Sequence, residues 1–147
     1  MSMSPELPII RRVLSRDSEN IASLMQQLGY EATPSQISDR LRGIQDSSTD
    51  LVLVAAIEDS IVGCISLHLL PLFHADGFLG RITSFVIDQQ HRRLGVGSTL
   101  MRAASEWFSA SGCVKIEVTS GDHRSDAHRF YEAQGFSRDR QRFSKRA

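Results

Sequence analysis

The sequence has few cysteines, no long apolar run and no excess of charge of either sign. Its two cysteines, Cys64 and Cys113, stand alone, without the spacing of a disulfide framework or a zinc site. Seventeen basic residues balance seventeen acidic ones, which argues against a protein that mainly binds nucleic acid. The longest apolar runs, such as Leu51 to Ile57, fall far short of the about 20 residues that a membrane helix needs.

The N-terminal residues also lack the hydrophobic region of a secretory signal. We therefore predict a cytoplasmic protein with no membrane, nucleic-acid or metal partner. A chain of 147 residues with 41% hydrophobic residues is long enough to bury a real core, and no linker divides it. Residues 1–147 are expected to form a single domain.

Hydrophobic periodicity predicts ten elements in the order β α α β β β α β α β. The helices are expected to begin near Asp17, Pro34, Gly95 and Ser125, where capping residues, a proline or glycines punctuate the pattern. The strands are rich in β-branched residues and are expected at Ile9–Leu14, Leu51–Ile57, Ile61–Leu70, Arg81–Asp88, Val114–Thr119 and Phe136–Phe143.

Adjacent strands favour antiparallel pairing, whereas the later strand, helix, strand unit favours a parallel crossover. The fold class is therefore expected to be α/β, with a mixed, mostly antiparallel sheet and helices on both faces.

The most informative segment is Ile82–Leu100, ITSFVIDQQHRRLGVGSTL. A strand runs into a turn with Gly95 and Gly97, and a helix starts there with free N–H groups and the positive end of its dipole, which is a favourable place for an anion. Arg92 and Arg93 add positive charge suited to a polyphosphate. The turn matches neither GxxxxGK[ST] nor GxGxxG, and a simple turn into a surface helix is the structural alternative.

Two motifs in this order resemble those of the GNAT superfamily of acetyl-CoA-dependent N-acetyltransferases. The family's phosphate-loop pattern [QR]xxGx[GA] is matched by residues 92–97, RRLGVG. Its later pattern is matched by Ala127, Tyr131, Gly135 and Phe136. The resemblance in element order extends over residues 9–143.

The resemblance implies a GNAT-like fold, acetyl-CoA as cosubstrate and a primary amine, by default of a small molecule, as acceptor. Tyr131 would be the general acid that protonates the departing thiolate, although an aromatic on a short helix is also a common packing residue. The main chain of Phe85, Val86 and Ile87 would contact the pantetheine arm and the acetyl carbonyl. The pyrophosphate would lie against Arg92, Arg93, Leu94, Gly95, Val96, Gly97 and Ser98.

The proton acceptor for the substrate ammonium is not evident. Many family members carry a glutamate near the start of the strand before the loop, where this chain has Arg81. Possible substitutes are His68, Glu117, Asp122 and His123, although a histidine in an apolar strand is more often a satisfied interior residue. Arg124 stands where the family often has an asparagine that contacts pantetheine.

The missing glutamate motivates an alternative, a non-catalytic acyl-CoA sensor of the same fold. A homodimer is a possible assembly.

Overall fold

A single five-stranded sheet with its strands in sequence order forms the centre of the fold. The computed structural model describes residues 7–119, 125–139 and 142–147. The strands are β1 (Ile9–Arg12), β2 (Asp50–Ile57), β3 (Ser60–Pro71), β4 (Phe78–Ile87) and β5 (Cys113–Val118). The helices are α1 (Ser18–Gln27), α2 (Pro34–Ile44), α3 (Val96–Ala110) and α4 (Ser125–Ala133).

The pairing of these strands confirms the expected fold class. Strands β1 to β4 pair antiparallel with their neighbours, and β5 pairs parallel with β4 after the crossover through α3. The predicted boundary of α2 is also confirmed: Thr33 Oγ1 accepts a hydrogen bond from Gln36 N, and the Gln36 side chain accepts one from Thr33 N. This reciprocal capping box fixes where the helix begins.

Helices cover both faces of the sheet and bury two separate apolar clusters. On one face, α3 packs Leu100, Ala104 and Phe108 against residues such as Ile65 and Ile82. On the other face, α1 and α2 cover a cluster that includes Val54, Cys64 and Val86. The sheet is therefore apolar on both sides over most of β2 and β3, which explains the nearly continuous hydrophobic runs of these strands.

The strand expected over Phe136–Phe143 is not found in the part of this segment that the structure describes. Residues 136–139 and 142–147 lie in no regular element, and the Phe143 side chain is 97% exposed. Arginines alternate with other polar residues here, so a strand would bury little apolar surface to offset the entropy of ordering the backbone.

No helix in the described ranges is long and apolar enough to cross a membrane.

Gly80 lets β4 lie close to α3, and this contact generates the first prediction. A Cβ at Gly80 would lie 2.6 Å from Phe108 Cδ1, inside the core. Gly80→Ala should therefore lower the free energy of unfolding by about 1–3 kcal/mol through overpacking, measured by urea denaturation.

Gly43→Ala is the matched control for that substitution. Gly43 lies in α2, and a Cβ there would meet no atom within 4 Å. This variant should be neutral or more stable by about 0.4–1 kcal/mol. Equal stability of the two variants would contradict the packing argument.

Candidate functional site

The sheet forks where β5 parts from β4. The parallel ladder between them ends at Ile82 opposite Val118, whereas β4 continues to Ile87 and pairs over that length with β3. Among the residues that the structure describes, no strand pairs with the other side of residues 83–87, so that side of their backbone faces the gap. An extended ligand can bind in such a gap by forming hydrogen bonds with the main chain of β4, as a further strand would.

A β-bulge in β4 lies at this fork. Ser66 is opposite Ser84 and Leu67 is opposite Ile82, so Thr83 is the additional residue. A bulge bends its strand and increases the local twist. We attribute the divergence of β4 from β5 to this irregularity.

After β4, the chain forms a tight turn into α3. Arg93 has φ 65° and Gly95 has φ 84°, two left-handed residues that reverse the backbone directly before Val96, the first residue of α3. The residues from Arg92 to Gly95 are exposed, whereas Val96 is buried. The turn and the first N–H groups of a 15-residue helix thus form an exposed anion-binding geometry, as expected from the sequence.

The start of this turn is tied to α1 by a polar cluster. Gln27 Nε2 donates to Asp88 Oδ1 at 2.8 Å, and the Gln27 Oε1 accepts from Gln89 N at 3.0 Å. His91 Nδ1 lies 2.7 Å from the second oxygen of Asp88. Hydrogen bonds from Gln27 and His91 hold the pKa of Asp88 below its usual range, so the carboxylate remains an acceptor for both at neutral pH.

An aromatic cluster joins the fork to α4. The Tyr131 ring packs edge-to-face against Phe85, Phe130 and Phe136, with centroid distances of 6.3, 5.6 and 5.8 Å. A Cβ on Gly97 would lie 3.4 Å from the Phe130 ring. The structure thus brings Tyr131 beside the open edge of β4, in a half-buried position, and its ring has the packing role that the sequence left as an alternative.

The sequence-predicted cofactor residues divide into two groups by side-chain position. The first group has side chains packed in the two cores: Phe85, Val86, Ile87 and Val96. Because Asp88 N donates to Val62 O, the alternation along β4 directs the main chain of Val86 toward β3 and that of Phe85 and Ile87 toward the gap. The second group is exposed at the turn: Arg92, Arg93, Leu94 and Gly95. Ser98 Oγ accepts a hydrogen bond from Gln134 Nε2 at 3.2 Å, which joins α3 to the end of α4.

Arg81 and Glu117, both singled out in the sequence, form an ion pair across β4 and β5. Arg81 Nη2 lies 2.8 Å from Glu117 Oε2, and Lys115 Nζ lies 3.3 Å from the other oxygen. Glu117 is thus held by two cations. Asp122, His123 and Arg124 lie outside the described residues.

His68 belongs to a polar network that the sequence analysis missed. Its Nδ1 lies 2.7 Å from Asp50 Oδ1, its Nε2 lies 2.7 Å from Thr83 Oγ1, and Thr83 Oγ1 lies 2.7 Å from Ser66 Oγ. As expected of a satisfied histidine, both ring nitrogens have a hydrogen-bond partner, but the side chain is 24% exposed rather than fully buried. One signal was available: the polar residues Ser66 and His68 alternate with apolar residues in β3.

Two clefts border these elements. A cleft of about 260 Å³ between the α1–α2 connection and β4 is lined by Met25, Tyr30, Glu31, Ala32, Arg40 and Ser84. A larger one, about 690 Å³, lies between the outer edge of β5, α3 and the residues after α4. The smaller cleft reaches the residue that follows the bulge, whereas the larger one is away from the fork.

Comparison with known proteins agrees with this geometry. The profile of the acetyltransferase (GNAT) family matches residues 18–136. The chain belongs to the GNAT acetyltransferase family. The resemblance stated on residues 92–97 and 127–136 is thereby confirmed, and the family uses acetyl-CoA.

Three individual proteins that match this chain share only 15–34% sequence identity with it. The chain is 34% identical over 85 residues to the aminoalkylphosphonate N-acetyltransferase of Salmonella typhimurium, a match that spans 58% of this chain and 55% of that protein. Two solved GNAT-like structures show the same fold. One is described as a transcriptional regulator from Bacillus halodurans (22% identity, TM-score 0.86, 95% and 99% of the two chains). The other is an aminoglycoside N-acetyltransferase in complex with CoA (15% identity, TM-score 0.83, 99% of both chains).

The Gln27 contacts generate a prediction for the turn. Gln27→Ala should remove both hydrogen bonds to the segment 88–89, lower stability by about 1–3 kcal/mol and accelerate amide hydrogen exchange at Gln89. Gln26→Ala is the matched control because the Gln26 side chain is exposed on the same helix. If Gln89 exchanges at the same rate in both variants, α1 does not hold the turn.

Proposed function

We propose that this protein transfers an acetyl group from acetyl-CoA to the primary amine of a small molecule. The observation that carries the proposal is the combination of a forked sheet with a glycine turn at the N-terminus of α3, in a chain of the GNAT family. The glycine turn can bind a diphosphate, and the adjacent fork can bind the extended arm that is attached to it.

The residues at the fork fit acetyl-CoA. The exposed turn from Arg92 to Gly95, with its left-handed Arg93 and Gly95, would hold the diphosphate through main-chain N–H groups, and the two arginines would add charge. Phe130 lies against the first turn of α3, where a Cβ on Gly97 would be in ordinary van der Waals contact with its ring. Ser98 completes the proposed phosphate-binding segment.

The open edge of β4 would bind the pantetheine arm. Phe85 and Ile87 have core-packed side chains and main-chain groups directed away from β3, so these groups are what they can offer to a ligand in the gap, whereas Val86 between them pairs with β3. The bound thioester supplies an acetyl carbonyl open to attack by an amine. A main-chain N–H on the gap side of this segment, at Phe85 or Ile87, would stabilise the oxyanion that develops there, an effect worth about 2.7–4 kcal/mol per donor in other enzymes. The N–H of Val86, expected from the sequence to do this, is directed toward β3.

Tyr131 is the proposed general acid. Its ring contacts Phe85, so the phenol lies on the helix that borders the open edge of β4. A phenol hydroxyl is a hydrogen-bond donor and can protonate the departing thiolate as the C–S bond breaks.

The acceptor is proposed to enter through the cleft between the α1–α2 connection and Ser84. Glu31 and Arg40 give its walls charges of both signs, which suits a polar amine. The relative from Salmonella typhimurium is named for an aminoalkylphosphonate, and the CoA-bound structural neighbour is named for an aminoglycoside. Both names support a small-molecule amine.

A second candidate function is an acyl-CoA sensor without turnover. It is favoured by the ion pair between Arg81 and Glu117, which leaves no carboxylate free at the position where many family members have a glutamate. Release of free thiol from acetyl-CoA in the presence of an amine panel separates the two, since a sensor binds without releasing thiol.

Location and assembly complete the proposal. A cytoplasmic protein is consistent with the free thiols of Cys64 and Cys113, because such compartments keep cysteines reduced. A homodimer is proposed as a possible assembly, and sedimentation analysis of the purified chain tests it.

Replacement of Gly95 should weaken cofactor binding selectively. Gly95→Ala forces a side chain into the left-handed region at φ 84°, at a cost of about 1–2 kcal/mol, and points a methyl group at the proposed diphosphate site. We expect a higher dissociation constant for acetyl-CoA, measured by isothermal titration calorimetry.

Gly112→Ala is the matched control at the other end of α3. Its φ is 85°, so the backbone strain is the same, but it should leave the dissociation constant unchanged. If both substitutions raised the dissociation constant for acetyl-CoA equally, the effect would come from lower stability of the protein and not from the turn at Gly95.

Tyr131→Phe tests the general acid. The variant keeps the aromatic contacts but removes the hydroxyl, so kcat should fall by about 10²-fold or more while acetyl-CoA binds as before. A variant as fast as the parent chain would remove Tyr131 from the mechanism and leave it a packing residue.

A further inference from the structure

The polar network around His68 lies at the fork, on the face that the α1–α2 cleft opens to. Val86 packs toward α1 and α2, and Ser84, two residues earlier, lines the cleft on that side. The bulge places Thr83 on the same face, where it contacts Ser66 and His68. Thr83 therefore lies next to Ser84, the β4 residue that lines the proposed amine entrance, at the point where β5 leaves the sheet.

The direction of each hydrogen bond in this network follows from Asp50. Hydrogen bonds from His68 and Ser47 hold the pKa of Asp50 below its usual range, so Asp50 is a carboxylate at neutral pH and can only accept. In the form with a single ring proton, His68 carries that proton on Nδ1 and donates it to Asp50 Oδ1. Its Nε2 is left as an acceptor, 2.7 Å from Thr83 Oγ1.

The remaining bonds are fixed in the same way. Thr83 has one hydroxyl proton and donates it to His68 Nε2, so at the 2.7 Å contact between Thr83 and Ser66 the serine is the donor. Thr83 Oγ1 keeps a further lone pair, and the residue is exposed. That lone pair can accept a hydrogen bond from a group in the cleft.

We propose that the Asp50, His68 and Thr83 side chains form the proton relay that deprotonates the ammonium group of the acceptor. The inference rests on the proposed acetyltransferase function and supplies the base that the Arg81 position lacks. Thr83 contacts the ammonium, His68 receives the proton, and Asp50 is a positioning residue that sets the histidine tautomer.

The proton balance of the relay is complete. One N–H bond of the ammonium breaks as its proton passes to Thr83 Oγ1, and the hydroxyl proton of Thr83 passes to His68 Nε2. Thr83 ends with the single proton it began with, the amine gains the lone pair it needs as a nucleophile, and His68 becomes an imidazolium beside the Asp50 carboxylate. No electrons are exchanged, and the extra proton later leaves His68 for water.

Other charged groups near the network do not replace it. Arg81 lies opposite His68 in the register of β3 and β4, but a guanidinium cannot accept a proton. Glu117 is bound to Arg81 and Lys115. Glu31 and Arg40 line the cleft from the helical side, and Ser47 and Thr49 hold Asp50 from the loop before β2.

Asp50→Asn gives the sharpest test because it keeps the hydrogen bond while reversing its direction. Ser47 and Thr49 donate to Asp50 Oδ2, so the amide oxygen of Asn takes that position and its nitrogen donates to His68 Nδ1. The ring proton then moves to Nε2, which can no longer accept from Thr83. ¹⁵N NMR of the imidazole should show Nδ1–H in the parent chain and Nε2–H in the variant. With an alkyl ammonium acceptor at pH 7, kcat/KM should fall by about 10²-fold or more.

The acceptor itself supplies the control. An acceptor such as 2-aminoethylphosphonate is an ammonium at pH 7, whereas its aminooxy counterpart is already neutral and needs no base. In Asp50→Asn, the loss of kcat/KM should be large for the ammonium acceptor and small for the aminooxy acceptor. For the ammonium acceptor, this loss should become smaller as the pH rises toward the pKa of the amine. A merely structural defect would lower both rates alike at every pH.

Threonine variants complete the test. Thr83→Val should behave like Asp50→Asn, and Thr83→Ser, which keeps the hydroxyl, should stay close to the parent chain. Acetyl-CoA affinity should be the same in all variants. The relay would be overturned if Asp50→Asn lowered kcat/KM equally for both acceptors, or did not lower it at all. It would also be overturned if Glu117→Gln were the only variant whose loss of kcat/KM depended on the acceptor. A parent chain that binds acetyl-CoA but acetylates no amine would instead overturn the proposed function, and this inference with it.

Discussion

The separation of β5 from β4 after Ile82 is the constraint on which the rest of the site depends. In a continuous sheet the backbone of residues 83–87 would be saturated on both sides, and no ligand could pair with it. Because the parallel ladder stops while β3 still supports β4, one row of main-chain groups stays available and rigid. The turn at Gly95 lies at the end of this row, so a ligand with an anionic head and an extended arm meets both.

The same irregularity connects cofactor and acceptor chemistry. Thr83 is the residue that the bulge adds to β4, and its hydroxyl reaches the His68 ring on the opposite side of the sheet from α3. Residues a few positions further along β4 face the gap through their main chain. One local departure from regular pairing therefore brings a backbone surface for the thioester and a polar surface for the amine within a few residues of each other.

Local patterns in the sequence were sufficient for most of the fold and for the phosphate turn. The capping box at Thr33, the glycines around Val96 and the alternation of strands and helices each depend on neighbouring residues, so they can be recognised without coordinates. The relay could not be predicted in the same way. Asp50, His68 and Thr83 lie on three different strands, and their contact depends on register and on a bulge that no residue type announces.

In the segment after Phe136, by contrast, the sequence predicted a strand that the described residues do not form. Alternating arginines after Phe136 satisfied a strand pattern, but a strand also needs an apolar face to bury, and the exposed Phe143 shows that the described part of this segment does not provide one. Alternation is thus informative when one of its two sets of residues is hydrophobic. Where both sets are polar, the pattern carries little structural information.

The most direct test of the central claim is an NMR titration of the ¹⁵N-labelled chain with CoA and, separately, with pantetheine, which lacks the diphosphate. If main-chain N–H groups of the turn hold the diphosphate, the amide signals of residues 93–98 will shift strongly with CoA and little with pantetheine. Shifts confined to the cleft beside β5, around Cys113–Ile116, or no difference between the two ligands at residues 93–98, would contradict the account.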